Sequence, residues 1–256
     1  YDIVTYWLKR INQEHEKYGM GKIGALLTVT KETLPRYKEI IDTYISLWLN
    51  SIFLRWLNPY GFAASALDTL AYTDEEWIDF YKKSLDYIIE INKAGIHFVE
   101  SITQVYLSKI FLEKDPSFMD IRSPAWLAVG CVAYNYDGKV YASDESRMLW
   151  RMGIDDFLMS DLKETWDQTY KTMMHSNITS IAVQATTLDA LPWYNNHVYK
   201  PYLWLDIIHN FKMHGNIYVP IMKDEKMHMQ IAVLDHIFER LQDPEVEKIF
   251  MKWIGR

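Results

Sequence analysis

The sequence has little cysteine, and this scarcity sets the first limit on its chemistry. Cys131 is the only cysteine in 256 residues. A single thiol cannot form an internal disulfide, and it fits a reducing, cytoplasmic setting. Iron–sulfur clusters are held by several thiolates at once. These 256 residues therefore cannot by themselves supply the ligands of such a cluster.

Long apolar runs and an excess of positive charge are lacking as well. No apolar run reaches the roughly 18 residues that a membrane span requires, and residues 1–10 do not form a secretory signal. The 34 acidic residues outnumber the 27 lysines and arginines, which are dispersed among them, and the formal net charge is −7. We therefore expect a cytoplasmic protein with no membrane contact and no nucleic-acid partner.

What the sequence does contain is enough apolar material for a sizeable core. Hydrophobic residues make up 49% of the chain, which suits one large domain or one domain with an appendage. The sequence starts with Tyr1, which is compatible with a trimmed polypeptide, a processed product or a fragment.

The first half of the chain alternates apolar runs of strand length with segments of helical periodicity. Thr73 is a good N-cap with Glu76 as its capping-box partner, so a long helix is predicted to begin there and to end at Gly95. Such an alternation is typical of consecutive right-handed βαβ units in a parallel sheet. The predicted strands are 23–30, 51–57 and 97–100, and the predicted helices are 1–18, 31–50, 73–93 and 102–113.

The alternation stops near Pro116, and the second half has a different pattern. Residues 129–142 predict a β-hairpin around Asn135-Tyr136-Asp137-Gly138, because Gly138 supplies the positive φ that such turns favour. We therefore divide the chain into an α/β domain, 1–122, and a hairpin with a mainly helical extension, 123–256. The helices predicted in the extension are 146–152, 163–175, 224–241 and 243–255.

The predicted parallel sheet is incomplete at one edge. Residues 23–30 lack the inward charge or the proline that normally protects an edge strand from pairing. We therefore expect this strand to have a neighbour. Three candidates stay open: residues 1–22 folded over it, another chain in a homo-oligomer or with an upstream subunit, or an upstream segment.

Three segments of the chain resemble one known family. They are GALLTVTKETL at 24–34, SIFLRWLNPYGFAA at 51–64, and residues 123–148, which contain VAYNYDGKVYASDESRM. In this order they resemble the radical S-adenosylmethionine (SAM) maturase of His-Xaa-Ser peptide systems, a relative of enzymes with a SPASM extension. The resemblance spans roughly 20–148 and weakens after 160. It implies the later units of a partial TIM-like (β/α) barrel with parallel strands, then a β-hairpin and a mainly helical C-terminal extension.

The resemblance also implies an ancestral chemistry, in which SAM is cleaved reductively to a radical that abstracts hydrogen from a peptide. The family's CxxxCxxC loop, which holds the SAM-cleaving cluster, has no counterpart in this sequence. Where the resemblance places cysteines of an auxiliary cluster, the chain has Tyr194, His197 and Leu203. We therefore expect no cofactor in this chain alone; SAM and a 4Fe–4S cluster are implied only for a complete relative.

Polar residues at the ends of the predicted strands are the first candidate ligand-binding residues. In an α/β barrel, ligands contact residues at the carboxyl ends of the strands, and in the related enzymes this rim faces SAM and the substrate. The alternative is that Arg55 pairs with a neighbouring carboxylate and that the threonines simply pack. The candidates are Thr28, Thr30, Arg55 and Asn58.

A second polar group follows the predicted hairpin. Asp144, Glu145 and Arg147 could hold a peptide or orient the helical extension, although acidic residues after a strand are also typical helix caps and ion-pair partners. No catalytic residue is predicted.

The histidines do not predict a metal site. His209 and His214 are separated by five positions, and His228 and His236 by eight positions on a predicted helix. The latter pair would lie about 12 Å apart along the helix axis, which is too far for one ion. No HExxH motif or paired CxxC spacing is present.

Two further residue types have plainer interpretations. Cys131 lies in an apolar strand context and is predicted to be a buried small hydrophobe, not a nucleophile. Trp126, Trp193 and Trp204 fall in or beside predicted loops, where they could line a peptide groove. We favour the hypothesis that these indoles fill the volume left by a lost cofactor.

Whether the chain is an enzyme stays open at this point. The favoured hypothesis is a non-catalytic descendant or fragment that binds a peptide or protein partner. The alternative is an active radical SAM peptide maturase, completed by an upstream segment or partner subunit that carries the CxxxCxxC cluster. A third hypothesis, a hydrolase using Asp144 or Glu145 with a histidine, lacks a nucleophile elbow and a paired-carboxylate spacing.

Overall fold

The computed structural model describes residues 1–21, 23–113, 118–162 and 165–256. Two features of the sequence analysis, the end of the alternation near Pro116 and the helix start at 163, lie outside these residues. The chain forms two compact units. The first unit comprises 1–57, 69–116 and 232–256, and the second comprises 58–68 and 117–231. The domain boundary predicted between 122 and 123 stays a prediction.

Helices and a parallel sheet build the first unit. Helix α4 (Leu67–Leu70) and the long helix α11 (Glu225–Arg240) each begin in the second unit and end in the first. The other elements of the first unit are α1 (Asp2–Lys17), β1 (Gly24–Thr28), α2 (Tyr37–Ser46), β2 (Ser51–Arg55), α5 (Asp74–Lys93), β3 (Val99–Glu100), α6 (Ser101–Phe111) and α12 (Pro244–Trp253).

The sheet of the first unit confirms the predicted parallel arrangement. Its strand order is β1-β2-β3, and both pairs are parallel, with Gly24 opposite Ser51 and Ser51 opposite Val99. Strands β1 and β2 are shorter than the predicted runs 23–30 and 51–57, because only the residues that pair with each other in the ladder form strand. The structure therefore shows a mixed α/β fold with a three-stranded parallel sheet in the described residues.

Helix α5 begins where the sequence predicted. The Thr73 hydroxyl accepts from the N–H of Glu76, and the Glu76 carboxylate accepts from the N–H of Thr73. These two bonds satisfy backbone groups that a helix start leaves without partners. The apolar side of the helix includes the fully buried Trp77, Tyr81 and Leu85.

The carboxylate of Glu100 is buried at the end of β3 and is the N-cap of α6. It accepts from the N–H groups of Leu54 (3.4 Å), Ile102 (3.3 Å) and Thr103 (2.7 Å). The hydroxyls of Thr103 and Tyr81 each donate to it at 2.8 Å. This single side chain therefore ties β2, β3, α5 and α6 together.

The end of α11 is fixed within the first unit by a shared carboxylate on α5. Asp86 accepts from His236 at 2.8 Å and from the guanidinium of Arg240 at 2.7 and 3.0 Å. Burial opposes ionisation of Asp86, but the hydrogen bonds from His236 and Arg240 outweigh it and lower its pKa. Residues 150 positions apart thus meet, which no local pattern in the sequence could indicate.

The second unit combines a small antiparallel sheet with helices. The predicted hairpin is confirmed, since β4 (Ala133–Tyr134) and β5 (Lys139–Tyr141) pair around a turn in which Gly138 has φ +85°. The remaining elements are α3 (Phe62–Ser65), α7 (Asp144–Trp150), β6 (Leu158–Asp161), α8 (Trp166–Met174), α9 (Asn177–Thr186) and α10 (Ile207–His214).

Strand β6 was missed by the sequence analysis. Its four residues, Leu-Met-Ser-Asp, are too few to show a period, and only pairing with β5 makes them a strand, with Val140 opposite Ser160. None of the helices in the described part of the chain is both long and apolar enough to cross a bilayer.

Candidate functional site

One face of the parallel sheet is exposed to solvent along β1 and partly exposed along β2. Side chains alternate between the two faces of a strand, so alternate residues of β1 and β2 share a face. Ala25, Ile52 and Leu54 are buried on one face, whereas Leu26 on the other face is 65% exposed. Parallel sheets usually have both faces covered. We call this the open face; it is made by the exposed Gly24, Leu26 and Thr28 of β1 and the partly exposed Ser51, Phe53 and Arg55 of β2.

Two of the predicted site residues lie side by side at the carboxyl end of this open face. Thr28 and Arg55 are directly opposite in the β1–β2 register. The guanidinium of Arg55 makes no hydrogen bond or ion pair with any residue that the structure describes. The expected pairing of Arg55 with a nearby carboxylate is therefore not observed there. A cation without a partner next to a hydroxyl and apolar surface is suited to bind a carboxylate group of a ligand.

The other predicted site residues lie elsewhere. Thr30 closes a turn, donating its N–H to the Thr33 hydroxyl at 2.8 Å. Asn58 belongs to the second unit, where its Oδ1 is buried with no hydrogen-bond partner among the described residues. Asp144 and Arg147 form an ion pair at 2.7 Å on the first turn of α7, as the ion-pair alternative suggested, and the N-cap of this helix is Ser143.

Glu145 belongs to a buried polar cluster in the second unit, together with Asp206 and Lys226. The sequence analysis did not identify this cluster. At its centre the Lys226 ammonium lies 2.6 Å from Asp206, and the two side chains are 3% and 4% exposed. Burial opposes ionisation of Asp206, but the charge of Lys226 outweighs it and lowers the pKa of the carboxyl. Burial and the neighbouring Asp206 raise the pKa of Glu145. Burial raises the pKa of Tyr60, and the charges of Asp206 and Glu145 raise it further.

The histidine nearest this cluster is held in its neutral form. Burial, together with the charge of Lys226, lowers the pKa of His209 to about 3. Its Nε2 lies 4.0 Å from Glu225, which His214 approaches more closely, at 3.1 Å. Across the described ranges, no group of three or more histidine, cysteine and acidic side chains is arranged to hold a metal ion.

The positions at which the resemblance places auxiliary-cluster cysteines do not fit an iron–sulfur cluster. Tyr194 is buried and donates its hydroxyl to the Val219 carbonyl at 2.9 Å, and the aliphatic Leu203 is buried. His197 accepts at Nδ1 from the N–H of Tyr199. One imidazole, a bonded phenol and an alkyl group cannot replace thiolates.

The tryptophans of this region divide into two groups. The Trp126 and Trp204 rings pack edge to face with centroids 5.2 Å apart, and they are 8% and 5% exposed. Trp193 is 47% exposed. The hypothesis that these indoles fill interior volume therefore agrees with the first two and is wrong for the third.

Cys131 should be a slow nucleophile, because its half-buried position raises the pKa of the thiol to about 11. Nearby acidic groups, Glu145 first among them, raise the pKa of the thiol further. The thiolate is the reactive form, so at pH 7.5 we expect alkylation by iodoacetamide to be about a hundredfold slower than for an ordinary cysteine. Mass spectrometry of the time course measures this rate. A rate that levels off below pH 9 would contradict the raised pKa.

Comparison with known proteins gives one clear result, and it concerns the fold. No protein-family profile and no curated protein sequence matches the chain. Solved structures do match, among them a polyhistidine-tagged anSMEcpe with bound AdoMet, at a TM-score of 0.65 and 13% identity. That match covers 97% of this chain and 62% of anSMEcpe. Native anSMEcpe with bound AdoMet and the Kp18Cys peptide matches with a TM-score of 0.61 and 12% identity over 95% and 61% of the two chains.

The chain shares its fold with anSMEcpe. AnSME is an anaerobic sulfatase-maturating enzyme, a SPASM-type radical SAM enzyme, so the shared fold bears out the resemblance found in the sequence. The chain spans about 62% of the length of anSMEcpe. At 13% identity or less the likeness shows the fold and leaves the activity open.

Proposed function

We propose that this protein is a non-catalytic relative of radical SAM maturases that binds a peptide segment on the open face of the β1–β2 sheet. The observation that carries the proposal is the guanidinium of Arg55, which has no hydrogen-bond or ion-pair partner among the described residues and lies beside the exposed Thr28 on the open face. In this proposal the three parallel strands are the later part of a barrel, and the open face is the side that would line its interior.

Three further observations support binding without radical chemistry. Two of the similar structures are anSMEcpe with bound AdoMet and a peptide, so the fold can accommodate a peptide. The chain has one cysteine, whose thiol has a raised pKa. At two of the expected auxiliary-cluster positions, Tyr194 and His197 make other hydrogen bonds. The Arg55 guanidinium would recognise a carboxylate, so the preferred peptide carries an acidic side chain.

The expected result for Arg55→Gln is a loss of about tenfold to a hundredfold in affinity for an acidic peptide, since a charge-assisted hydrogen bond contributes about 1.5–3 kcal/mol. The measurement is a fluorescence-anisotropy titration with a ten-residue peptide that has a central Asp and apolar flanks, beside the same peptide with Asn. Arg36→Gln is the matched control, because Arg36 is exposed and already paired with Glu39 at 2.7 Å. Equal binding of the Asp and Asn peptides would refute the proposal.

A second candidate function follows from the AdoMet present in the similar structures. In it, this chain is part of an active peptide maturase, and an upstream segment or partner subunit carries the CxxxCxxC cluster. Anaerobic iron–sulfur reconstitution of this chain together with the polypeptide that completes it tests the idea. Cluster absorbance and SAM cleavage by the complete assembly would favour it over the binding function.

A further inference from the structure

The buried polar cluster of the second unit has more carboxylates than cations. Lys226 pairs with Asp206 at 2.6 Å, whereas Glu145 has no ion-pair partner in the described part of the chain. The Oε2 atom of Glu145 is buried and makes no hydrogen bond with any described residue. A buried carboxylate that is ionised without a cation costs free energy. A positive charge beside Glu145 would therefore stabilise the ionised cluster.

A buried hydroxyl without a partner lies near this carboxylate. Tyr60 is 2% exposed, and its hydroxyl makes no hydrogen bond with the residues that the structure describes. Burial raises the pKa of Tyr60, and the charges of Asp206 and Glu145 raise it further, so the three groups are neighbours. The loop that carries Tyr60 packs on α7, because a Cβ added to Gly61 would lie 3.5 Å from Cε of Met148.

These side chains together offer three hydrogen-bond acceptors, and we name Tyr60, Glu145, Asp206 and Lys226 the Glu145 site. Two of the acceptors are Oη of Tyr60 and Oε2 of Glu145. The third is the Asp206 carboxylate, which accepts from the N–H of His209 at 3.0 Å and from Lys226. A carboxylate has about four lone-pair positions, so it can accept a further hydrogen bond. A primary ammonium group carries one positive charge and three N–H donors, which match the charge and the acceptors of the site.

We propose that the Glu145 site binds a primary ammonium group. The ammonium donates to Glu145, Tyr60 and Asp206, and its alkyl chain leaves along Glu145, which is partly exposed whereas the other three residues are buried. A metal ion does not fit, since no group of three or more histidine, cysteine and acidic side chains in the described ranges is arranged to hold one. This inference goes beyond the proposed function, because it concerns a cationic ligand in the second unit and does not depend on Arg55.

The first probe is ethylammonium chloride, titrated into the full chain at pH 8 so that protons compete least for Glu145. Sodium chloride keeps the ionic strength constant. The amide NMR signal of residue 145 should shift with half-saturation at about 1 mM, near the limit for a ligand of three heavy atoms. Nuclear Overhauser contacts should join the ethyl protons to the ring of Tyr60. Tetramethylammonium, which has the same charge and no N–H donor, should produce neither effect.

Variants of nearly unchanged size test the two acceptors. Glu145→Gln should weaken ethylammonium binding about tenfold or more, because a hydrogen bond to a charged group is lost, and Tyr60→Phe about fivefold, because a neutral acceptor is lost. The matched controls are Asp156→Asn and Tyr170→Phe, which alter an exposed carboxylate and an exposed phenol in the second unit and should not change the affinity. Far-UV circular dichroism shows whether each variant remains folded.

A second pair of probes distinguishes a free amine from a lysine side chain. They are the blocked tripeptide acetyl-Gly-Lys-Gly-amide and the same peptide with norleucine, which keeps the alkyl chain and lacks the ammonium. If the lysine peptide binds as tightly as ethylammonium, the ligand is a lysine side chain of a peptide. If only ethylammonium binds, the ligand is a small primary amine. In both cases the norleucine peptide should not bind.

Three results would overturn the proposal. The first is an equal response to tetramethylammonium or potassium chloride, which would show that charge alone is recognised. The second is unchanged ethylammonium affinity in both Glu145→Gln and Tyr60→Phe. The third is a long-lived internal water at Tyr60 that ethylammonium does not displace. Because the acidic peptides are titrated separately, the proposed function at Arg55 and the ammonium site can each fail without the other.

Discussion

Replacing Lys226 by Met is expected to destabilise the second unit by about 3–5 kcal/mol, the cost typical of removing one partner from a buried ion pair. The Lys226 ammonium lies 2.6 Å from Asp206, and both side chains are almost fully buried. Without the ammonium, Asp206 keeps a buried charge beside Glu145 or takes up a proton, and either outcome costs free energy. Urea unfolding followed by circular dichroism measures the loss.

Two further variants test this explanation. Asp206→Asn combined with Lys226→Met should recover much of the stability, because the amide oxygen can still cap α10 by accepting from the N–H of His209, as Asp206 does at 3.0 Å. Lys83→Met is the matched surface control: it removes an ion pair of the same 2.6 Å length whose side chains are 55% and 62% exposed. The urea midpoint of that variant should not change measurably. A double variant as unstable as Lys226→Met would contradict the ion-pair explanation.

Replacing Glu100 by Ala is expected to cost about 3–5 kcal/mol in the first unit. The substitution leaves the Tyr81 hydroxyl and the N–H groups of Leu54 and Thr103 buried without their acceptor, and each such group costs about 1–3 kcal/mol. Glu100→Gln keeps an acceptor oxygen and should cost less. Thermal and urea unfolding measure both variants. If Glu100→Ala were as stable as Glu100→Gln, the carboxylate would not be the tie between β3, α5 and α6.

The same residue gives a pH dependence with a defined sign. Burial raises the pKa of Glu100 above its ordinary value of 4.5 despite the donors around it. A raised folded-state pKa means that its contribution to stability is fully present below pH about 4.5 and is lost as the pH rises through the folded-state value. Glu100→Gln removes this titration. The stability of the unsubstituted protein relative to Glu100→Gln should therefore fall as the pH rises from 4, and a flat difference would contradict the raised pKa.

Local patterns allowed some elements to be predicted closely. The start of α5 follows from Thr73 and Glu76, whose capping box needs only four consecutive residues. The β4–β5 turn follows from Gly138, which alone of its neighbours adopts a positive φ without strain. Of the candidate site, Thr28 and Arg55 could be placed together, because each lies near the carboxyl end of a predicted parallel strand.

Other parts of the site depend on contacts between distant residues. Glu145 was noticed as an acidic residue after a hairpin, but its raised pKa depends on burial and on Asp206, which is 61 positions away in the sequence. Lys226 and Asp206 have no motif spacing, and a lysine on a long helix is normally interpreted as solvent-exposed. The exposed Trp193 and the buried Trp126 and Trp204 have similar local contexts, and only the packing around them separates the three.

The sequence by itself determined the parallel βαβ character of the first unit, the hairpin, the helix caps and the scarcity of thiols, because each depends on residue type or on a short period along the chain. Only the tertiary structure decided which sheet face stays open, that Arg55 has no partner among the described residues, and that Asp206, Lys226 and Glu145 form one buried cluster. The physical reason is that burial and charge pairing depend on distances between segments far apart in the sequence, which local residue patterns do not specify.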